Sequence, residues 1–117
     1  MKVSEVRDIL EATVLAGEEQ LHKAVVAAGG ADLMSDILAA TAKDAVLLTG
    51  LNTEHVFRTG KIAEVGAIVF VRGKKPDEKI MKVAETYGIP VLSTQCSLFV
   101  ASGRLYMNGL RGLNGSW

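Results

Sequence analysis

The sequence predicts an α/β domain: a three-layer, mostly parallel sheet with helices on both faces. Three observations carry this. Ala67-Ile68-Val69-Phe70-Val71 is a continuous apolar run without alternation, the pattern of a strand buried on both faces. Two weaker runs flank it, Ala45-Val46-Leu47-Leu48-Thr49 and Ile89-Pro90-Val91-Leu92-Ser93-Thr94. Each run ends in small or polar residues and leads into a helix-like segment, so a strand–turn–helix unit recurs about every 22 residues.

The elements follow in order. Val3, Val6, Ile9 and Leu10 share one face at helical spacing, with Ser4 as the expected cap. Thr13–Ala16 reads as a strand ended by Gly17. Glu18–Gln20 is a polar turn after which Leu21 tucks inward. Lys23–Ala28 reads as a second strand stopped by Gly29-Gly30, a pair that suits a tight turn or a close ligand approach. Asp32 then caps a short helix carrying Leu33, Met34, Ile37 and Leu38.

Asp44–Gly50 opens the parallel core. Asn52-Thr53-Glu54-His55 starts a helix that runs to about Val65, in which Gly60 marks a close contact. After the central strand, Pro76 suits a first helical position and Asp77 and Glu78 the positive dipole end. Ile80, Val83, Ala84 and Tyr87 form the buried stripe of that helix, and Gly88 stops it. Ile89–Thr94 is the last strand. Cys96–Met107 is the final helix, with Leu98, Ala101, Ser102 and Leu105 on one side. The domain is expected over residues 1–110, with 111–117 a flexible tail.

Composition narrows the function. Lysine plus arginine equals aspartate plus glutamate, 13 each, and aromatics are 5%, which argues against a nucleic-acid binder. Met1–Asp8 is charged and lacks the apolar core of a signal peptide. No apolar run reaches the roughly 20 residues that cross a bilayer. A cytoplasmic protein is expected. The single Cys96 permits no internal disulfide and, beside two separated histidines, no metal site or cofactor is expected. Cys96 itself reads as a structural residue at a strand–helix junction. The phosphate-cradling GxxxxGK[ST], the dinucleotide GxGxxG and the GxSxG elbow are all missing. No nucleophile–base pair emerges from His55, Thr49 and Thr94, so no catalytic residue is assigned.

Ligands of open parallel sheets bind outside the carboxyl ends of the strands. Three turns fall there: Thr49-Gly50-Leu51-Asn52-Thr53, Arg72-Gly73-Lys74 and Ser93-Thr94-Gln95. Each precedes a helix whose free N–H groups favour an anion. Arg72 or Lys74 would supply charge, Asn52 and Thr94 orienting hydrogen bonds, with Thr53, Gly73, Ser93 and the Gly29, Gly30, Asp32 segment beside them. The bland alternative is that these residues are ordinary caps.

Gly29-Gly30 with Asp32-Leu33-Met34-Ser35-Asp36, then Arg72-Gly73-Lys74-Lys75-Pro76-Asp77 and Gly88–Thr94, resemble the DRTGG domain family from Met1 to about Leu110. The Asp-Arg-Thr that precedes the glycines in the family is replaced here, Ala27 and Ala28 flanking the glycines, so no role of those polar residues carries over. The resemblance implies the fold of the N-terminal domain of HPr kinase/phosphorylase, which lacks that enzyme's phosphate-binding loop. It also implies a kinship with inserts between the CBS domains of regulated pyrophosphatases, where such domains help form the dimer. Stand-alone members occur in anaerobic bacteria near iron hydrogenase components.

Two functions are therefore expected from different classes. One is a non-catalytic regulatory module that homodimerises through Leu33, Met34, Ile37 and Leu38 and senses a small anionic, nucleotide-like ligand. The other is an accessory protein docking on a redox enzyme such as an iron hydrogenase. The mean hydropathy of +0.26 adds weight to a face covered by a second subunit.

Overall fold

The three apolar runs form the strands their composition dictates: β3 (Ala45–Thr49), β4 (Ala67–Phe70) and β5 (Val91–Ser93). β3 and β4 are buried along their whole length. The computed structural model describes residues 1–113. Its sheet has the order β1-β5-β4-β3-β2, with β1 at Thr13–Ala16 and β2 at Ala27–Gly30. β2 through β5 are parallel, and β1 closes the far edge antiparallel to β5, Thr13 opposite Ser93.

Alternation along the strands divides the core in two. Val46, Leu48, Val69, Val71 and Leu92 pack against α1 (Val3–Leu10) and α5 (Leu98–Met107). Leu47, Ile68, Phe70 and Val91 pack against α2 (Met34–Ile37), α3 (Glu54–Ala63) and α4 (Glu78–Glu85). There the Phe57 and Phe70 rings meet at 5.9 Å, tilted by 57°. All three crossover helices thus lie on one face, because the parallel strands follow one another across the sheet without reversing direction. A strand-order reversal, the feature that usually splits open a binding crevice, is missing from the parallel run.

Several local expectations are corrected. β2 is shifted toward the carboxyl end: Val25 and Val26 precede it, Val26 is exposed, and Gly29-Gly30 are its last residues rather than its stop. The reason is steric, since α2 and the following turn press the Ala40 carbonyl onto Gly29. Asp32 caps no helix; α2 starts at Met34 without a side-chain cap. Nor does Ser4 cap α1, where the Glu5 side chain instead accepts the Lys2 N–H at 3.0 Å. α4 begins at Glu78, with Asp77 accepting the Ile80 N–H at 2.8 Å and Pro76 one residue outside. Ser97, not Cys96, opens α5 and accepts the Val100 N–H at 3.2 Å. Ser102 faces solvent. Gly60 is where the close contact was expected, its Cα backed by Val65 and Ile68.

The tail expected from residue 111 is pinned at its start. The Arg111 carbonyl accepts the N–H of Ala28 at 2.9 Å, covering part of the β2 edge. Its guanidinium lies 4.3 Å from the centre of the Tyr106 ring. Residues 114–117 of that expected tail lie outside the described residues.

Candidate functional site

Four turns meet at the carboxyl edge of the sheet, and Asp32 ties three of them together. It follows β2, and its Oδ1 accepts the buried Gly50 N–H after β3 at 2.7 Å. Its Oδ2 accepts a hydrogen bond from the Arg72 guanidinium after β4 at 3.1 Å. The guanidinium lies over Gly50, where a Cβ would meet Arg72 Nη2. Arg72 and Gly73 are both left-handed, φ 57° and 68°. This geometry sends the Arg72 N–H to the Cys96 carbonyl and the Gly73 N–H to the Thr94 carbonyl, each at 2.8 Å, and so ties in the turn after β5. A non-glycine residue in that region costs about 1–2 kcal/mol, which the two hydrogen bonds offset.

The expected site residues are brought to one edge, yet most of their polar atoms already have partners. Thr94 is buried; its hydroxyl donates to the Leu10 carbonyl at 2.7 Å and accepts the Cys96 N–H at 3.2 Å. Thr49 is equally buried and accepts the Leu51 N–H. Asn52 donates to the Lys75 carbonyl and Ser93 to the Lys74 carbonyl. Asn52 and Ser93 therefore tie their turns to the one after β4, Thr94 ties its turn to the end of α1, and Thr49 braces its own turn. Gly73 and Ser93 line a hollow of about 140 Å³ with Glu11, Thr13 and Gln95, while Gly29 and Gly30 lie apart, along the outer edge of the sheet.

What stays outward-facing is mixed in charge, with Glu11, Asp77 and Glu78 exposed as well as the cations. The Arg72 side chain is 48% exposed, and Lys74 and Lys75 are exposed beside it. The first turn of α3 also stays open. Its Thr53 cap residue makes no side-chain cap bond, whereas α4 and α5 are capped by Asp77 and Ser97. Glu54 in that turn pairs with Arg58 at 3.0 Å, and its hydrogen bond and charge hold the Arg58 guanidinium above its ordinary value. His55 is exposed and meets Thr59 one turn along, not Thr49 or Thr94. Cys96 packs partly buried against the core, its Sγ facing the Leu10 carbonyl. Among the described residues no three His, Cys, Asp or Glu side chains are grouped to hold a metal, and no helix is long and apolar enough to cross a membrane.

Sequence reasoning missed the role of Gly50 and the true partner of Asp32. Asp32 is eighteen residues from Gly50 and forty from Arg72, and no local pattern announces such pairs.

The DRTGG domain model matches residues 5–106. The chain belongs to the DRTGG domain family. None of the curated proteins matches it. Among solved structures, this DRTGG domain is similar to the CBS and DRTGG domains of the regulatory region of Clostridium perfringens pyrophosphatase, complexed with its activator diadenosine tetraphosphate. The TM-score is 0.65 at 20% identity, over 89% of this chain and 45% of that one. At that identity the likeness establishes the shared fold, and this DRTGG domain spans less than half of the pyrophosphatase region.

Proposed function

We propose that this DRTGG domain is a non-catalytic regulatory module that pairs with a second copy and senses a small anionic, nucleotide-like ligand at the carboxyl edge of its sheet. The observation that carries the reading is the Asp32 clamp. An internal carboxylate holds one guanidinium and one buried main-chain N–H, the same donors that recognise a phosphate. A ligand phosphate replaces Asp32 on Arg72, with Lys74 and the open first turn of α3 beside it. Release of Asp32 frees the β2–α2 turn from the turns after β3 and β4. That is the sensing step. The pyrophosphatase relative carries a nucleotide activator in its regulatory region, which makes nucleotides the first ligands to try.

Calorimetric titration with AMP, ATP and diadenosine tetraphosphate tests it. Two or three charge-assisted contacts give micromolar affinity after the entropy of association is subtracted, and binding weakens with added salt. Arg72→Ala should weaken binding by at least about tenfold. Asp32→Asn keeps an acceptor for Gly50 but removes the competing charge, so it should tighten binding. An Arg72→Ala variant of unchanged affinity would place the site elsewhere.

The pairing face moves relative to the sequence expectation. Ile37 is wholly buried within the monomer and Met34 partly so, leaving only Leu33 and Leu38 of that segment outside. The larger uncovered surface is on α5, where Phe99 is 87% and Met107 86% exposed. Gly103 lies midway between them, with open space where a Cβ would stand. Two α5 helices crossing antiparallel at Gly103 set Phe99 of each copy against Met107 of the other, the self-match a twofold interface needs. Light scattering should give twice the 12.4 kDa monomer mass at micromolar concentration, and Phe99→Asp should halve it. A wild-type monomer would turn this face over to the other function, docking on a redox enzyme.

A further inference from the structure

A hollow of about 570 Å³ lies at the opposite, amino edge of the sheet, where β3, β4 and β5 begin and α3 and α4 end. We propose that it binds a small zwitterion, a free α-amino acid. This rests on observations independent of the anion site.

Its lining carries two cations and two anions, Lys23 and Lys61 against Asp44 and Glu64. None of the four forms an ion pair among the described residues. Asp44 and Glu64 are held side by side, the Asp44 N–H donating to the Glu64 carbonyl at 3.0 Å. Both have left-handed backbones, φ 60° and 57°, an uncommon conformation for residues with side chains. The carbonyl ends of α3 and α4 point the same way, and their dipoles favour a positive group there. The ligand's ammonium belongs on this acidic side.

Gln20 closes one side of the hollow, its Nε2 donating to the Gly88 carbonyl at 2.7 Å. The carboxylate is met by the lysines. Lys61 reaches the Tyr87 carbonyl only at 3.4 Å, and Lys23 is exposed. A nucleotide would bring its phosphates against Asp44 and Glu64, and a simple amine its charge against the lysines. A molecule of zero net charge with separated poles meets both pairs. The remaining volume, floored by Pro90, accommodates a side chain.

The test is calorimetry with each of the free L-amino acids, at up to about 10 mM for weak sites. Each one that binds is then compared with its decarboxylated amine and its deaminated acid. At least one amino acid should bind, and both truncated analogues should bind at least about tenfold more weakly. Glu64→Gln and Lys23→Met, both on exposed side chains, should each lower affinity about tenfold with the fold retained by circular dichroism. Arg72→Ala, at the other edge, should leave it unchanged. Absence of any binding amino acid overturns the proposal. So does an amine that binds as tightly as its parent, or a Glu64→Gln variant of full affinity.

Discussion

Gly29→Ala should destabilise the domain by about 3 kcal/mol or more, with a fall in Tm of roughly 10 °C or more. The new Cβ would overlap the carbonyl oxygen of Ala40, whose carbonyl carbon would be 3.0 Å away and Cα 3.3 Å. Those are main-chain atoms of the turn after α2, and main chain yields less readily than a flexible side chain. Relief requires moving α2 away from β2 or β2 away from β3, and either uncovers Ile37. Gly103→Ala is the counterpart. It adds a methyl that meets open space on the monomer's α5, and in the monomeric Phe99→Asp background it should raise stability by up to about 1 kcal/mol from helix propensity alone. Thermal melts of the two variants check both signs. A Gly29→Ala protein as stable as wild type would mean that β2 is not held against the turn at Ala40.

Thr94→Val should cost about 2–4 kcal/mol although the two side chains have nearly the same shape. One hydroxyl serves two backbone groups: it donates to Leu10 at the end of α1 and accepts from Cys96 at the start of the last turn. Valine leaves the Cys96 N–H without the hydroxyl and the Leu10 carbonyl with only the weak Cys96 thiol 3.9 Å away, in a site only 2% exposed. Thr94→Ser keeps the hydroxyl and loses only a methyl, about 1 kcal/mol. Urea unfolding midpoints should therefore rank wild type, then serine, then valine by a clear margin. Equal midpoints for serine and valine would show that the hydroxyl is not what holds α1 to β5.

The same residue shows where sequence reading succeeds and where it stops. Ala67–Phe70 and its neighbours were legible as buried parallel strands because burial on both faces removes alternation, a property of the local string. The helix at Glu78 was legible for a similar reason, since Asp77 serves its own chain three residues on. Thr94 reads as a candidate ligand contact because it stands at the right edge, but the carbonyl its hydroxyl serves lies 84 residues away. Asp32 looks like a cap by the same local logic, whereas its partners come from two other crossovers. Gly29-Gly30 reads as a chain breaker unless one knows that a carbonyl from another turn will press on it. Ile37 sits in an apolar cluster whose helical phase is ambiguous over four residues, and only packing decides that it points inward while Leu38 does not. In each miss the deciding atom is remote in sequence.

The pairing of β1 with β5 has a consequence for how the domain is made. Thr13 must wait for Ser93, and α1 must wait for α5, against which it packs. During synthesis α1 can settle against Lys23, β3 and β4, but its cover by α5 comes only when nearly the whole domain has been produced, and until then β2 to β4 form a partial sheet open at the β5 side. Contacts of such long sequence separation slow the folding transition and leave an exposed strand edge meanwhile. Completion comes late and all at once, when the last strand slots between β4 and β1. A nascent chain stalled before Val91 should therefore be digested by protease throughout, and one extended past Leu110 should resist.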